Sequence, residues 1–261
     1  SSFFKILLRG PRPYWISDQV KPVVHETSFS IPSGHAMSAA AVWGWLAMEI
    51  RKRWASILLI IIIFLIGFSR LVLGVHSLTD VLLGWLLGAI LVLIFALAHK
   101  SITVWLKTLT LGKQILLALG TSILMILLSM AARFLYPEWQ MPEEWITRAG
   151  EIDPLSIDGT ITMAGVWFGF LAGFAWLLKI KGLLNSKGSW WKRLLRMVVG
   201  LIGVMALYLG LGELFPKEPE LLGGILRYIR YGLIGYWVAM GAPFLFEKLK
   251  LSEFELKPKI K

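Results

Sequence analysis

Predominantly apolar stretches alternate along this chain with short clusters of charge. Seven stretches stand out, roughly 34–50, 55–75, 79–98, 114–132, 159–178, 194–212 and 223–246, of which the first is the shortest. A helix needs about 20 apolar residues to cross the hydrocarbon core of a bilayer. None of the seven shows the period-two alternation of a barrel strand, and only helices satisfy their backbone hydrogen bonds in lipid without closing a barrel. The pattern predicts an all-α, polytopic transmembrane helix bundle of about seven helices, read as one integral membrane domain over 1–261. The candidate chemistry falls in 1–98, and 114–246 contributes further membrane helices.

Composition agrees with that reading. The chain is 57% hydrophobic and only 16% charged, with a mean hydropathy of +0.70, which leaves too little polar surface for a soluble domain of this length. The net charge of +11 does not point to nucleic acid, because the charges gather in the short segments between apolar runs. Arg51-Lys52-Arg53 follows the first stretch. His99, Lys100, Lys107 and Lys113 come two crossings later. Lys179, Lys181, Lys187, Lys192 and Arg193 come after two more, and Lys248, Lys250, Lys257, Lys259 and Lys261 close the chain. These mark one side as cytoplasmic by the positive-inside rule. The opposite side receives 133–158, with Glu138, Glu143, Glu144, Glu151, Asp153 and Asp158 against Arg133 and Arg148, and 213–220, with Glu213, Glu218 and Glu220 against Lys217. There is no cysteine, so disulfides and thiolate metal sites are excluded.

Three blocks then concentrate chemistry on the non-cytoplasmic side. Lys5 is followed by Arg12-Pro13; Pro32-Ser33-Gly34-His35 opens the first stretch; Ser69-Arg70 closes the second, with His76 and Asp80 leading into the third. Arginine forks match phosphate oxygens and stay charged at any relevant pH. Gly34 admits an anion close to the backbone, Ser33 offers a hydroxyl, and the first amides of the following helix point at it. Pro32 suits a helix start. Neutral imidazole is nucleophilic at physiological pH, and Asp80, four residues after His76, lies on the same helical face. Taken alone, Asp80 reads more readily as a helix cap and His76 as an interfacial residue; the other blocks reverse that balance. No cluster of metal ligands accompanies them, so neither metal nor cofactor is expected.

In order and spacing the blocks resemble the signature of the type 2 phosphatidic acid phosphatase superfamily: Lys-x6-Arg-Pro, Pro-Ser-Gly-His and Ser-Arg-x5-His-x3-Asp. The resemblance covers about residues 3–98. It implies His76 as the nucleophile that forms a phosphohistidine and His35 as the acid that protonates the leaving oxygen and then activates water. Asp80 would orient His76, and Lys5, Arg12, Ser33, Gly34 and Arg70 would bind the phosphate. Arg12-Pro13-Tyr14-Trp15 and His25-Glu26-Thr27 before Pro-Ser-Gly-His-Ala36-Met37 also resemble glucose-6-phosphatase locally. In this family the first block follows at least one membrane helix, and Phe3-Phe4-Lys5-Ile6-Leu7-Leu8 reads as the end of such a helix. One or two helices are therefore expected before Ser1.

The resemblance implies a metal-independent phosphatase acting on a lipid phosphomonoester or an isoprenoid pyrophosphate, with membrane lipids and no nucleic acid as partners. The expected location is the bacterial cytoplasmic membrane, with the site facing the non-cytoplasmic side. Alternatives are a phosphatase of a soluble sugar phosphate and a non-enzymatic lipid transporter or scramblase; a vanadium haloperoxidase shares the motif logic but is generally soluble. Outside the blocks, His25 reads as a loop residue, and His99 and Arg9 as interfacial. Trp15, Trp139, Trp145, Trp190 and Trp191 read as an aromatic belt. Gly165, Gly169 and Gly173 read as a stripe for close packing within the chain in preference to dimerisation, and Arg227 and Arg230 as snorkelling side chains in preference to contacts with an anionic lipid.

Overall fold

The structure, a computed structural model, describes residues 1–150, 152–215 and 221–255. The charge markers Glu151, Lys217, Glu218, Glu220, Lys257, Lys259 and Lys261 lie outside the described residues. The described backbone is all-helical apart from loops and one isolated bridge between Leu184 and Phe254. In chain order the helices are α1 (Ser2–Leu8), α2 (Pro13–Ile16), α3 (Gly34–Ile50), α4 (Arg53–Val72), α5 (Leu78–Thr108), α6 (Leu111–Phe134), α7 (Glu143–Ala149), α8 (Asp158–Ile180), α9 (Trp190–Leu214), α10 (Leu221–Tyr236) and α11 (Ala242–Lys248).

Each of the seven apolar stretches falls on a helix, and among the described residues α4, α5, α6, α8 and α9 are long and apolar enough to cross a membrane. The other two depart from the expectation in physical detail. α3 has 17 residues, short of the usual span. The last stretch is interrupted: a π turn over Trp237–Gly241 joins α10 to α11. Pro243 lacks the N–H that would bond four residues back, and the wider turn just before it absorbs that defect. α5 continues to Thr108, so His99, Lys100 and Lys107 stand on a helix rather than in a loop.

The chain divides into two compact units, one formed by 1–105 with 128–157 and the other by 106–127 with 158–261. In the first unit, α3 lies directly against α5 at two glycines. A Cβ at Gly84 would come within 2.7 Å of the Ser33 carbonyl, and one at Gly88 within 2.5 Å of the Met37 carbonyl. The absence of side chains at these positions lets the start of α3 approach the start of α5, where the Ser33 amide donates to the Asp80 carbonyl at 3.0 Å. A second device is an apolar cluster of Tyr14, Trp15, Phe29 and Val75, on which Trp139, Met141, Trp145, Ile152 and Leu155 pack. Trp15, Trp139 and Trp145 are thus the core of a folded cap, not a lipid-facing belt; Trp190 and Trp191, stacked on each other, do remain exposed. Helix-end position alone does not distinguish the two fates of a tryptophan.

In the second unit the Gly165, Gly169 and Gly173 stripe brings α8 against α10: Cβ atoms at the first two would meet the backbones of Tyr228 and Gly232. The stripe is used within the chain. Arg227 pairs with Asp158 at 2.8 Å. Arg230 donates to the Tyr208 carbonyl at 2.7 Å and lies over the Tyr208 and Tyr231 rings. Both arginines therefore have protein partners.

The glycine contact generates a test. Gly88→Leu forces a branched side chain into the Met37 backbone, where overpacking costs about 1–3 kcal/mol or more. It is expected to lower the melting temperature in detergent, whereas Gly112→Leu, where a Cβ meets nothing within 4 Å, should leave it unchanged.

Candidate active site

All three sequence blocks reach one region of the first unit. Lys5 sits on α1, Arg12 immediately before α2, Ser33 at the N-cap of α3, and Gly34 and His35 in its first turn. Arg70 lies in the last turn of α4, His76 in the turn leading to α5, and Asp80 in the first turn of α5. Gly74 shapes that turn with φ +68°, a left-handed conformation that glycine adopts without a Cβ clash.

Arg12 is fully buried. Its Nε donates to the Ser28 carbonyl at 2.7 Å and its Nη1 to the Val75 carbonyl at 2.9 Å. Its Nη2 reaches Glu26 at 2.8 Å, Ser28 Oγ at 3.1 Å and the Phe29 carbonyl at 3.3 Å. Buried charge is tolerated only when paired and hydrogen-bonded, so this fork dictates the course of 26–30 and clamps the residue just before His76. Lys5, also buried, donates from Nζ to Ser28 Oγ at 3.0 Å. Glu26, to which no role is given by its place in the chain, is the acid that pairs with Arg12. Burial pushes its carboxyl up, but Arg12 and Lys5 outweigh that and hold it below its ordinary range.

His76 and Asp80 form the centre, and both are buried. Asp80 Oδ2 accepts the Ser77 amide at 2.7 Å, and the Asp80 amide donates to Ser77 Oγ at 3.3 Å, a reciprocal cap at the start of α5. The same oxygen accepts the Ser30 hydroxyl at 2.5 Å. Ser30 Oγ lies 3.1 Å from His76 Nδ1, closer than Asp80 Oδ2 at 3.5 Å. Because the single Ser30 proton goes to the carboxylate, Nδ1 carries the ring proton, and Nε2 is left with its lone pair. That Nε2 is buried and, among the described residues, has no hydrogen-bond partner. Burial pushes the His76 imidazole below its ordinary range; the Asp80 bond opposes this, and Arg12 and Lys5 reinforce it.

The remaining positions surround this centre. His35 is exposed and lies within electrostatic range of Arg70, Glu26, Lys5 and Arg12. Ser33 is buried, its Oγ accepting the Ala36 amide at 3.5 Å. Arg70 differs from Arg12: among the described residues its guanidinium bonds only to Ser69 Oγ, at 3.2 Å, so most of its donors remain open to an anion. Arg9, read as interfacial, is buried instead. It donates to the Ala132, Arg133 and Tyr136 carbonyls at the end of α6 and lies over the Tyr136 and Trp139 rings. His25 is an exposed loop residue, and His99 bonds within its own helix. Among the described residues no group of three or more His, Cys, Asp or Glu side chains is arranged to hold a metal.

A helical membrane protein with basic side chains gathered around a histidine–aspartate pair is the class that fold and site define. The family models place it further. Residues 1–103 match the PAP2 superfamily, and residues 161–254 match the transmembrane extension of PAP2 superfamily phosphatases. The chain belongs to the PAP2 superfamily. It is similar to phosphatidylglycerophosphatase B of Bacillus subtilis (strain 168), with 44% identity over 79 residues, covering 27% of this chain and 39% of that relative. No solved structure matches the chain.

The two arginines should separate on substitution. Arg12→Lys removes a fork that holds the Ser28, Phe29 and Val75 carbonyls and Glu26, and should cost about 3–5 kcal/mol, as for breaking a buried ion pair. Arg70→Lys should cost less than about 1 kcal/mol. Thermal unfolding of the purified variants in detergent measures both, and equal losses would contradict the difference in their partners.

Proposed function

We propose that the protein is a membrane phosphatase that cleaves a lipid phosphomonoester or an isoprenoid pyrophosphate at the non-cytoplasmic face through a phosphohistidine. The observation that carries this reading is the buried, unpartnered Nε2 of His76 beside an Nδ1 held by Ser30 and Asp80. His76 Nε2 attacks phosphorus as the bond to the leaving oxygen breaks. His35 protonates that oxygen, then takes a proton from the water that attacks the phosphohistidine, and inorganic phosphate leaves. Asp80 stabilises the imidazolium, the logic of a serine triad with another nucleophile. Lys5, Arg70 and the amides at the start of α3 bind the phosphoryl oxygens, and Arg12 adds charge from behind. Such preorganised charge is the main catalytic resource in phosphoryl transfer, which supports activity without a metal.

The similarity to a phosphatidylglycerophosphatase favours a glycerophospholipid phosphate over a sugar phosphate, and the long apolar helices favour a substrate whose tails stay in the bilayer. Phosphate release from a panel of lipid, isoprenoid and sugar phosphates decides among these, and no release at all would favour a transporter or scramblase.

Three outcomes are expected. His76→Ala should abolish turnover and acid-labile phosphoenzyme together. His35→Ala should slow an alkyl ester by about 10²–10⁴-fold, lose less in the forming step with an aryl phosphate, and let phosphoenzyme accumulate. A His76→Ala enzyme with near-normal activity would sink the assignment. Turnover should survive chelator, and millimolar vanadate should inhibit, because its trigonal-bipyramidal form mimics the transition state.

The pH dependence follows from burial of His76. The reactive imidazole is neutral, and its lowered folded-state value keeps it neutral further into acid, so the acid limb of kcat/KM should fall below pH 6.5. A limb that begins well above neutrality would contradict this.

A further inference from the structure

We propose that Ser30 is a positioning residue through which the Asp80 carboxylate acts on His76, so that the working unit is an Asp80–Ser30–His76 relay rather than a direct pair. The proposal rests on His76 being the nucleophile, as argued above.

The geometry favours the indirect route. Ser30 Oγ is fully buried and lies 2.5 Å from Asp80 Oδ2 and 3.1 Å from His76 Nδ1. The direct separation from Nδ1 to Oδ2 is 3.5 Å, at the edge of hydrogen-bonding distance. A hydroxyl has one proton and two lone pairs. With the proton on the carboxylate, a lone pair is free to receive Nδ1–H, which fixes the tautomer that leaves Nε2 nucleophilic. When Nε2 bonds to phosphorus, positive charge develops on the ring and Nδ1–H becomes a stronger donor to Ser30. The Ser30–Asp80 bond strengthens in response, since hydrogen bonds in a chain polarise one another. No proton needs to leave the ring, and all atoms balance with Asp80 remaining a carboxylate.

Ser30 is held for this task from both sides. Its amide donates to the Gly10 carbonyl at 2.9 Å, and its neighbour Phe29 is fully buried in the Tyr14–Trp15–Val75 cluster. Asp80 is held independently by its reciprocal cap with Ser77, so it is not free to swing onto His76 when the hydroxyl is removed. Lys5, Arg12 and Glu26, the other charged groups around His76 and Asp80, belong to separate contacts and are unchanged by a substitution at Ser30.

A double-mutant cycle on the full chain in detergent tests this, with phosphate release from short-chain phosphatidic acid as the readout. Ser30→Ala is expected to lower kcat by about 10–100-fold, at or below the lower end of the range for a proton-handling group, with KM little changed. Asp80→Asn should fall in a similar range, and the Ser30→Ala/Asp80→Asn double variant should be no slower than the slower single. Effects that multiply would mean two independent routes and would overturn the relay, as would Ser30→Ala retaining kcat within twofold. Ser30→Cys fills the same space with a poor hydrogen-bonding group and should match Ser30→Ala, while Ser30→Thr, which keeps the hydroxyl, should recover most of the rate. Equal losses in Cys and Thr would indicate packing alone and would also overturn it. The acid limb of kcat/KM should move to lower pH in Ser30→Ala, because the imidazolium loses its acceptor; an unmoved limb would count against the relay. His76→Ala run in parallel separates the failures. If it remains active, the phosphohistidine reading falls and the relay with it; if it is dead while the cycle is additive, only the relay falls.

Discussion

The burial of one guanidinium organises the site. Arg12 is removed from water among neighbours that are themselves partly or wholly buried, and a charge in that position persists only if nearly every donor is met. The partners that meet it come from Glu26, Ser28, Phe29 and Val75, two segments far apart in the chain. Satisfying Arg12 therefore fixes the path of the loop before α3 and, at the same time, the carbonyl adjoining His76. Ser30 and His76 meet because the residues beside them, Phe29 and Val75, are tied to the same fork.

Packing completes what that charge begins. Gly84 and Gly88 remove the side chains that would separate α3 from α5, so Ser33 and Asp80 come into backbone contact. The aromatic cap built on Trp15 and Phe29, with Trp139 and Trp145 over it, backs the loop that carries Ser30. Arg9 ties the end of α6 to the end of α1 by capping carbonyls of Ala132, Arg133 and Tyr136. Residues after α5 thus have a physical task in the first unit: Trp139, Met141, Trp145, Ile152 and Leu155 pack on the cluster that holds Val75, next to His76.

The two arginines of the motif illustrate how one residue type divides its work. Arg70, half-exposed with few protein partners among the described residues, keeps its fork open, whereas Arg12 spends its fork on the protein and, in the proposed mechanism, would act on a phosphoryl group through its field. Lys5 lies between these cases, bonded only to Ser28 Oγ among the described residues. Electrostatic stabilisation needs charge near the phosphoryl group, but it does not need every charge in contact with it.

Much of this was legible in the residue order. Apolar runs of membrane-spanning length determine helices because backbone groups in lipid have no other partners, and all seven stretches fall on helical segments. Lys5, Arg12, His35, Arg70, His76 and Asp80, singled out by their spacing, come into one region of the first unit, since residues at helix ends can meet. Local pattern did not disclose which side chains face each other. Ser30 and Glu26 carry no periodic signal, Arg9 and Trp15 look interfacial by hydropathy, and Pro243 gives no warning of how its defect is absorbed. Those assignments depend on contacts between residues distant in the chain, where burial decides whether a polar group must find a protein partner or can keep its water, and only the tertiary structure supplies that burial.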